Sequence, residues 1–191
     1  INFIKNNFNY KPYDKYKLIN NLSYEIKYSQ DQILSKLSQK FNIKDEKEKI
    51  PKLIKYAFIS AEDKRFFKHN GVDIFGSMRA FINNIKSGYI REGGSTITQQ
   101  LAKNLFLTPE RSFTRKLHEL ILSLWLEMRF SKKQILSIYL NRVYLGSGTY
   151  GVQAASEKYF NKKVEDLNLY ECAVIASLLK APSRYNPIAN R

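Results

Sequence analysis

The stretch LHELILSLWLEMRF, residues 117–130, decides the fold class. Its apolar side chains at Leu117, Leu120, Ile121, Leu122, Leu124, Trp125, Leu126 and Met128 reach nearly every helical face, which predicts a central buried helix. Downstream, Ser131 with Gln134 forms a capping box for the next helix, and Asn168 with Glu171 caps the last, which Pro182 stops. Upstream, Gly93 and Gly94 precede a third box, Thr96 with Gln99, for a helix that ends before Pro109. Pro51 at a first-turn position opens another helix, in which Ile50, Leu53, Ile54, Ala57, Phe58 and Ala61 keep the 3.6-residue period and face a core. Residues 72–90 mix apolar positions with Gly76, Asn83, Asn84 and Gly88, the pattern of a mobile lobe or lid. At the front, Leu22, Tyr24, Ile26 and Tyr28 alternate as in one short strand, and Ser29 with Gln32 caps a helix to about Phe41. The expected organisation is mainly α and without repeats: a lead-in over 1–48 with one strand and one helix, then a domain over 49–191 with a small lobe at about 72–92.

The 191 residues carry 32 Lys and Arg against 17 Asp and Glu, a net charge of +15. A content of 43% hydrophobic and 14% aromatic residues argues for a folded chain despite that charge. Cys172 is the single cysteine, so no disulfide forms within the chain, and with only His69 and His118 besides, a His/Cys zinc site is nearly excluded. The longest apolar run, Cys172 to Leu179, falls far short of the roughly 18 residues that span a bilayer. The chain starts at Ile1 rather than Met, from which a removed upstream segment, able to hold an anchor, is expected. The excess positive charge favours a polyanionic or anionic-surface partner: nucleic acid, acidic lipid or a phosphorylated substrate.

Gly146, Gly148 and Gly151 spell G-x-G-x-x-G with Asp166 twenty residues after the first glycine, but the segment before them is capped as a helix, against a dinucleotide site. S-x-x-K at Ser177–Lys180 and K-S-G at Lys86–Gly88 fall in the wrong order for a penicillin-binding site, with no S-x-N between them. Glu62 lies one turn after Phe58 at the margin of an apolar stripe, open to reading as a solvated helix acid or as a partly desolvated base. Glu119 sits in an apolar helix with Arg115 at i−4 and Lys116 at i−3, either a partly buried ion pair or a functional acid. Lys103, Arg111, Arg115 and Lys116 gather near helix starts against Glu110 alone, as a solvated face or as a phosphate cradle.

In their order these pieces are more specific than any one of them. E-D-K-R-F-F-K-H-N-G (62–71), G-G-S-T-I-T-Q-Q-L-A-K-N (93–104), R-K-L-H-E (115–119), I-L-S-I-Y-L-N-R-V-Y-L-G (135–146) and K-A-P-S-R-Y-N-P (180–187) resemble the five ordered motifs of the peptidoglycan glycosyltransferases. These are the transglycosylase modules of class A penicillin-binding proteins and of monofunctional transglycosylases. The resemblance covers about residues 50–190 and implies a lysozyme-like, two-lobed α fold with a small membrane-facing jaw. It implies polymerisation of lipid II into β-1,4 glycan strands, with inversion and release of polyprenyl pyrophosphate. It places the enzyme on the outer face of a bacterial cytoplasmic membrane, its anchor absent from this chain, among the cell-wall synthesis machinery and inhibited by moenomycin.

Carried onto this chain, the family's general base maps to Glu62 and its R-K-x-x-E acid to Glu119, which acts at the pyrophosphate through a divalent ion such as Mg2+ or Mn2+, or by orienting cations. No organic cofactor is implied. A sugar hydroxyl is a poor nucleophile, so a carboxylate that takes its proton helps, while a pyrophosphate leaving group needs compensation of charge rather than a strong acid. Lys103, Arg111 and Lys116 are expected to supply that charge, with Ser95 and Gln100 as hydrogen-bonding neighbours of the same phosphates. Val72, Ile74, Phe75, Met78, Phe81, Ile82, Ile85 and Ile90 would meet membrane or polyprenyl chain, or else pack as a lid on their own core. A muramidase with Glu62 as proton donor is the competing hydrolase reading. Nucleic-acid binding has only the net charge in its favour, since no basic stripe interleaved with aromatics is evident.

Overall fold

In the structure, a computed structural model, helix starts fall where short side chains can cap them; it describes residues 50–89, 93–107, 112–182 and 185. All of these belong to one unit, residues 44–191. The described residues form seven α-helices: α1 (Lys52–Glu62), α2 (Ile74–Ser87), α3 (Ile97–Phe106), α4 (Phe113–Arg129), α5 (Lys132–Arg142), α6 (Val152–Phe160) and α7 (Leu169–Ser177). Thr96, Ser131 and Asn168 each accept from the backbone N–H three residues on, and Gln99, Gln134 and Glu171 return a bond, so all three capping boxes are present. Such a reciprocal cap satisfies helix N–H groups that have no partner inside the helix, and losing one costs about 1 kcal/mol. The last helix ends at Ser177, and turns through Lys180 precede Pro182, so the chain leaves the helix earlier than the proline requires.

Packing runs α1 on α7, α3 on both α4 and α5, α4 on α5, α5 on α6, and α6 on α7. The core joins these through Ile54, Phe58, Leu101, Ile135, Tyr139 and Ile175, all fully buried. Phe58 of α1 and Tyr139 of α5 meet edge to face, ring centroids 6.4 Å apart, a geometry favoured by the ring quadrupoles. In α1 the buried positions are Ile54, Phe58 and Ile59, while Leu53 and Ala61 of the expected stripe are exposed. The loop between α5 and α6 explains the three glycines without a nucleotide. A Cβ on Gly146 would stand 2.5 Å from Pro182 O, and one on Gly151 2.6 Å from Asn141 O. No strand precedes this loop; an isolated bridge pairs Tyr144 with Tyr150.

Two expectations need correction or completion. First, α4 is not buried all round. The residues it buries are Glu119, Ser123 and Leu126, whereas Phe113, Leu117, Ile121, Leu124 and Met128 lie exposed on the opposite side. Spacings of three and four put each set on one face. Glu119 tolerates burial because two cations reach it, and the Ser123 hydroxyl donates to Leu120 O. Apolar content therefore gave the helix correctly but not that it buries a single face. Second, the segment expected as a lobe is helical: Asp73 accepts from Gly76 N at its start, and Gly88, with φ +69°, ends it. Of α2 only Ala80 is buried, and Ile74, Phe75, Met78, Phe81, Ile82 and Ile85 are exposed, which decides against a lid packed on its own core. The expected lead-in, its strand and helix, the boundary at 48, and Ile90 lie outside the described residues. Among the described residues no helix is long and apolar enough to cross a membrane.

Candidate active site

α1 stops at Glu62 because Asp63 leaves the helical conformation and turns its side chain inward. There the Asp63 carboxylate accepts from His69 Nε2, 3.0 Å from either oxygen, and from Ile97 N at 3.0 Å. The second bond places an acid at the start of α3, where the free N–H groups and the helix dipole favour negative charge. Asp63 and His69 are both buried, and Nε2 is the ring nitrogen that carries the proton toward the carboxylate. The Thr96 hydroxyl adds a second tie to the same stretch by donating to Gly71 O at 2.5 Å. Residues 62–71 are thereby stitched to the first turn of α3.

One turn into α3, Gln100 Nε2 donates to Glu62 Oε2 at 2.6 Å, and its Oε1 accepts from the Tyr139 hydroxyl at 3.0 Å. Gln100, expected as a hydrogen-bonding neighbour of the phosphates, here bonds the acid, and the Asp63 tie to Ile97 holds the end of α1 against the start of α3. Burial, then the nearby charges of Glu62 and Asp63, push the Tyr139 phenol far above its ordinary value.

A second cluster hangs on the first turns of α4, which Ser112 caps by accepting from Arg115 N. Glu119, 3% exposed, accepts from Arg115 Nη1 at 3.3 Å and from Lys116 Nζ in a short bond. Lys116 Nζ also donates to Ser95 Oγ at 2.9 Å. Two cations about one carboxylate leave an excess of positive charge beside Ser95.

Both clusters adjoin one cavity of about 650 Å³, lined by Glu62, Arg79 and Ser95 and, from far along the sequence, by Ser177 and Lys180. Among the described residues three acids line it, and two are committed elsewhere: Asp63 to His69 and Ile97, Asp73 to Gly76 N and Arg65. Glu62 is the acid left to meet a ligand there. Of the other expected site residues, Lys116 and Glu119 stand behind Ser95, Lys103 is exposed on α3 and is not among the lining residues, and Arg111 lies outside the described residues. Sequence reasoning gave no role to Arg79 or Lys180. The signal for Arg79 was a cation in the mostly apolar stretch 74–82, and for Lys180 its place at the head of the last motif.

Glu119 was one reading's candidate for a divalent ion. The donor set does not fit a resident metal: both of its oxygens are taken by cations, which would repel one. Nor do three His, Cys, Asp or Glu side chains gather as ligands anywhere among the described residues. The acid is instead placed to hold Arg115 and Lys116 in position.

Comparison with known proteins bears on the family. The family model described as Transglycosylase matches residues 30–191. The chain is 54% identical over 140 residues to penicillin-binding protein 1A of Neisseria flavescens, covering 73% of this chain and 18% of that protein. It is 53% identical over 139 residues to penicillin-binding protein 1F of Bacillus subtilis, covering 73% of this chain and 20% of the relative. Against penicillin-binding protein 1A of Pseudomonas aeruginosa it is 52% identical over 141 residues, 74% of this chain and 17% of the other. The chain thus spans about a fifth of the length of these relatives. The five ordered motifs, a family match over most of the length, and relatives more than half identical lead to one conclusion: the chain belongs to the transglycosylase family.

Proposed function

We propose that this chain is a peptidoglycan glycosyltransferase that polymerises lipid II, with Glu62 as general base. The observation that carries it is that Glu62 lines the same cavity as Ser95, and Ser95 is bonded to the Lys116 that pairs with Glu119. In the proposed step the incoming disaccharide's 4-hydroxyl loses its proton to Glu62 while its oxygen attacks the anomeric carbon of the lipid-linked chain. The bond to the pyrophosphate breaks with inversion, and the departing oxygen keeps the electron pair. Lys116, held by Glu119, and Ser95 meet the growing negative charge, joined by Arg111 and Lys103 if the substrate reaches them. Electrostatic compensation of this sort is worth far more in a cavity than in open water.

The commitments of Asp63 and Asp73 also speak against the muramidase reading, because a glycosidase of that kind needs a second carboxylate free to flank the scissile bond. The exposed apolar faces of α2 and α4, on a chain of net charge +15, suit an anionic lipid surface, which is where a polyprenyl substrate resides. We place the active face on the outer side of the cytoplasmic membrane, working with other cell-wall enzymes. The test is Glu62→Gln, assayed with lipid II in detergent micelles and glycan products resolved by gel. Loss of about 10²-fold or more is expected for a removed general base. Polymerisation near the wild-type rate would overturn the assignment, and release of sugars from finished cell wall would favour the hydrolase.

A further inference from the structure

Resting on the role of Glu62 proposed above, we propose that Tyr139 is a positioning residue that acts through Gln100: it fixes which end of the Gln100 amide meets Glu62, and so selects Glu62 Oε1 as the oxygen that takes the substrate proton. Three observations carry this. Gln100 Nε2 lies 2.6 Å from Glu62 Oε2, while among the described residues no side chain donates to Oε1. Gln100 Oε1 lies 3.0 Å from the Tyr139 hydroxyl. Tyr139 is 0% exposed and reaches this point from α5, held against Phe58.

An amide has a donor end and an acceptor end of nearly equal shape, so packing alone does not choose between them. The carboxylate and the phenol choose together, because the carboxylate can only accept and the phenol's proton needs an acceptor. Kept protonated by its burial and by the neighbouring carboxylates, the phenol donates to Oε1, which leaves the NH2 group for Glu62. A carboxylate only accepts, so this orientation matches the ionised base. The reverse orientation would set two acceptor oxygens 2.6 Å apart and would require a proton between them, held on Oε2 where it blocks the base. With Oε2 capped, Oε1 is the carboxylate oxygen left to take a proton. When the substrate O–H breaks, the new O–H forms on Oε1, Oε2 continues to accept from Gln100, and no side chain need rotate during the step. Among the described residues the other charged groups around Glu62 are Asp63, Lys64 and Arg65 beside it, Asp73 and Arg79 from the α2 region, and Lys180 after α7. None of them bonds Gln100.

The test uses Tyr139→Phe, Gln100→Met and the double variant, each assayed with lipid II across pH, with thermal unfolding as a check on folding. Tyr139→Phe keeps the ring and its packing and removes one hydroxyl. We expect kcat to fall severalfold with KM unchanged, and the acid limb of the kcat profile to move up by a fraction of a pH unit, because the lost hydrogen bond joins two neutral groups and reaches Glu62 only through Gln100. Gln100→Met removes the bond to the carboxylate itself and should move the limb further in the same direction, by about one pH unit. The double variant should be no worse than Gln100→Met, because Tyr139 then has nothing left to orient. Losses that multiply in the double variant, or an acid limb unmoved in both single variants, would overturn the proposal. Neither result touches the base assignment, which stands or falls with Glu62→Gln.

Discussion

Gly71 lies at the end of the first motif with φ +86°, and a Cβ built on it would stand 2.9 Å from Ser123 O and 3.0 Å from Ser123 C. Both are backbone atoms of α4, which cannot swing aside as a side chain would. Gly71→Ala should therefore incur two costs at once. The left-handed backbone costs an alanine about 1–2 kcal/mol. The clash adds about 1–3 kcal/mol. Against these, the reduced freedom of the unfolded chain returns about 0.4–1 kcal/mol. The net is a destabilisation of about 3 kcal/mol, which for a chain of this length lowers Tm by ~6–12 °C. Two controls separate the terms. Gly148 has φ +70° with nothing within 4 Å of its Cβ position, so Gly148→Ala bears only the backbone cost. Gly93 has open space and no positive φ, so Gly93→Ala should match or slightly exceed the wild type. Thermal unfolding by circular dichroism gives the order directly. If Gly71→Ala melts within 2 °C of Gly93→Ala, on a scale of ~2–4 °C per kcal/mol, the close approach of residues 62–71 to α4 is wrong. A functional loss should accompany the first variant, since Gly71 O receives the Thr96 hydroxyl that caps α3.

Other perturbations test the cations and the core. Lys116→Met leaves Glu119 with Arg115 alone; because the Lys116 side chain is 41% exposed, the stability loss should be about 1 kcal/mol at most. Its effect on kcat/KM for lipid II should be larger, about tenfold or more, and Lys116→Arg should restore part of it; equal rates in both variants and wild type would remove Lys116 from the site. For Tyr139, the raised value means that its stabilising contribution is complete below the ordinary value of 10 and is lost as pH climbs beyond it. Alkaline unfolding of Tyr139→Phe should then decline less steeply above pH 10 than wild type, by about 1.4 kcal/mol per pH unit. Identical slopes would show that the phenol ionises as freely in the folded chain as in the unfolded one.

The helix starts were legible because a cap is a local object: Thr96, Ser131 and Asn168 are each satisfied by residues three positions away. The inner face of α4 was not, because hydrophobicity reports what avoids water and not what covers it. Here the covered face carries Glu119 and Ser123, and the apolar face is turned outward. The same limit applies to α2, whose sequence is equally compatible with a packed lid and with an exposed apolar helix. Glu62 was found from its motif and its place at a helix edge, and Glu119 with Lys116 from i,i+3 spacing. The contact between Glu62 and Gln100 was invisible because it spans 38 residues and depends on how two helices approach.

That approach is set by α3 more than by any catalytic side chain. Its first N–H, on Ile97, holds Asp63 and hence the end of α1 that carries Glu62. Ser95, two residues earlier, meets Lys116 from α4. Gln100, three residues later, meets both Glu62 and Tyr139 of α5. A rigid rise of about 1.5 Å per residue along a capped helix fixes the spacing between the base's support and the start of the cation cluster to within a turn. The acid and the cations come from elements that do not otherwise share a face, so changes at Thr96 or Asp63 should disturb both together. Changes at Glu119 should disturb the cations alone. An Asp63→Asn variant that impaired proton transfer but left pyrophosphate binding at wild-type strength would show that α3 is not the common reference.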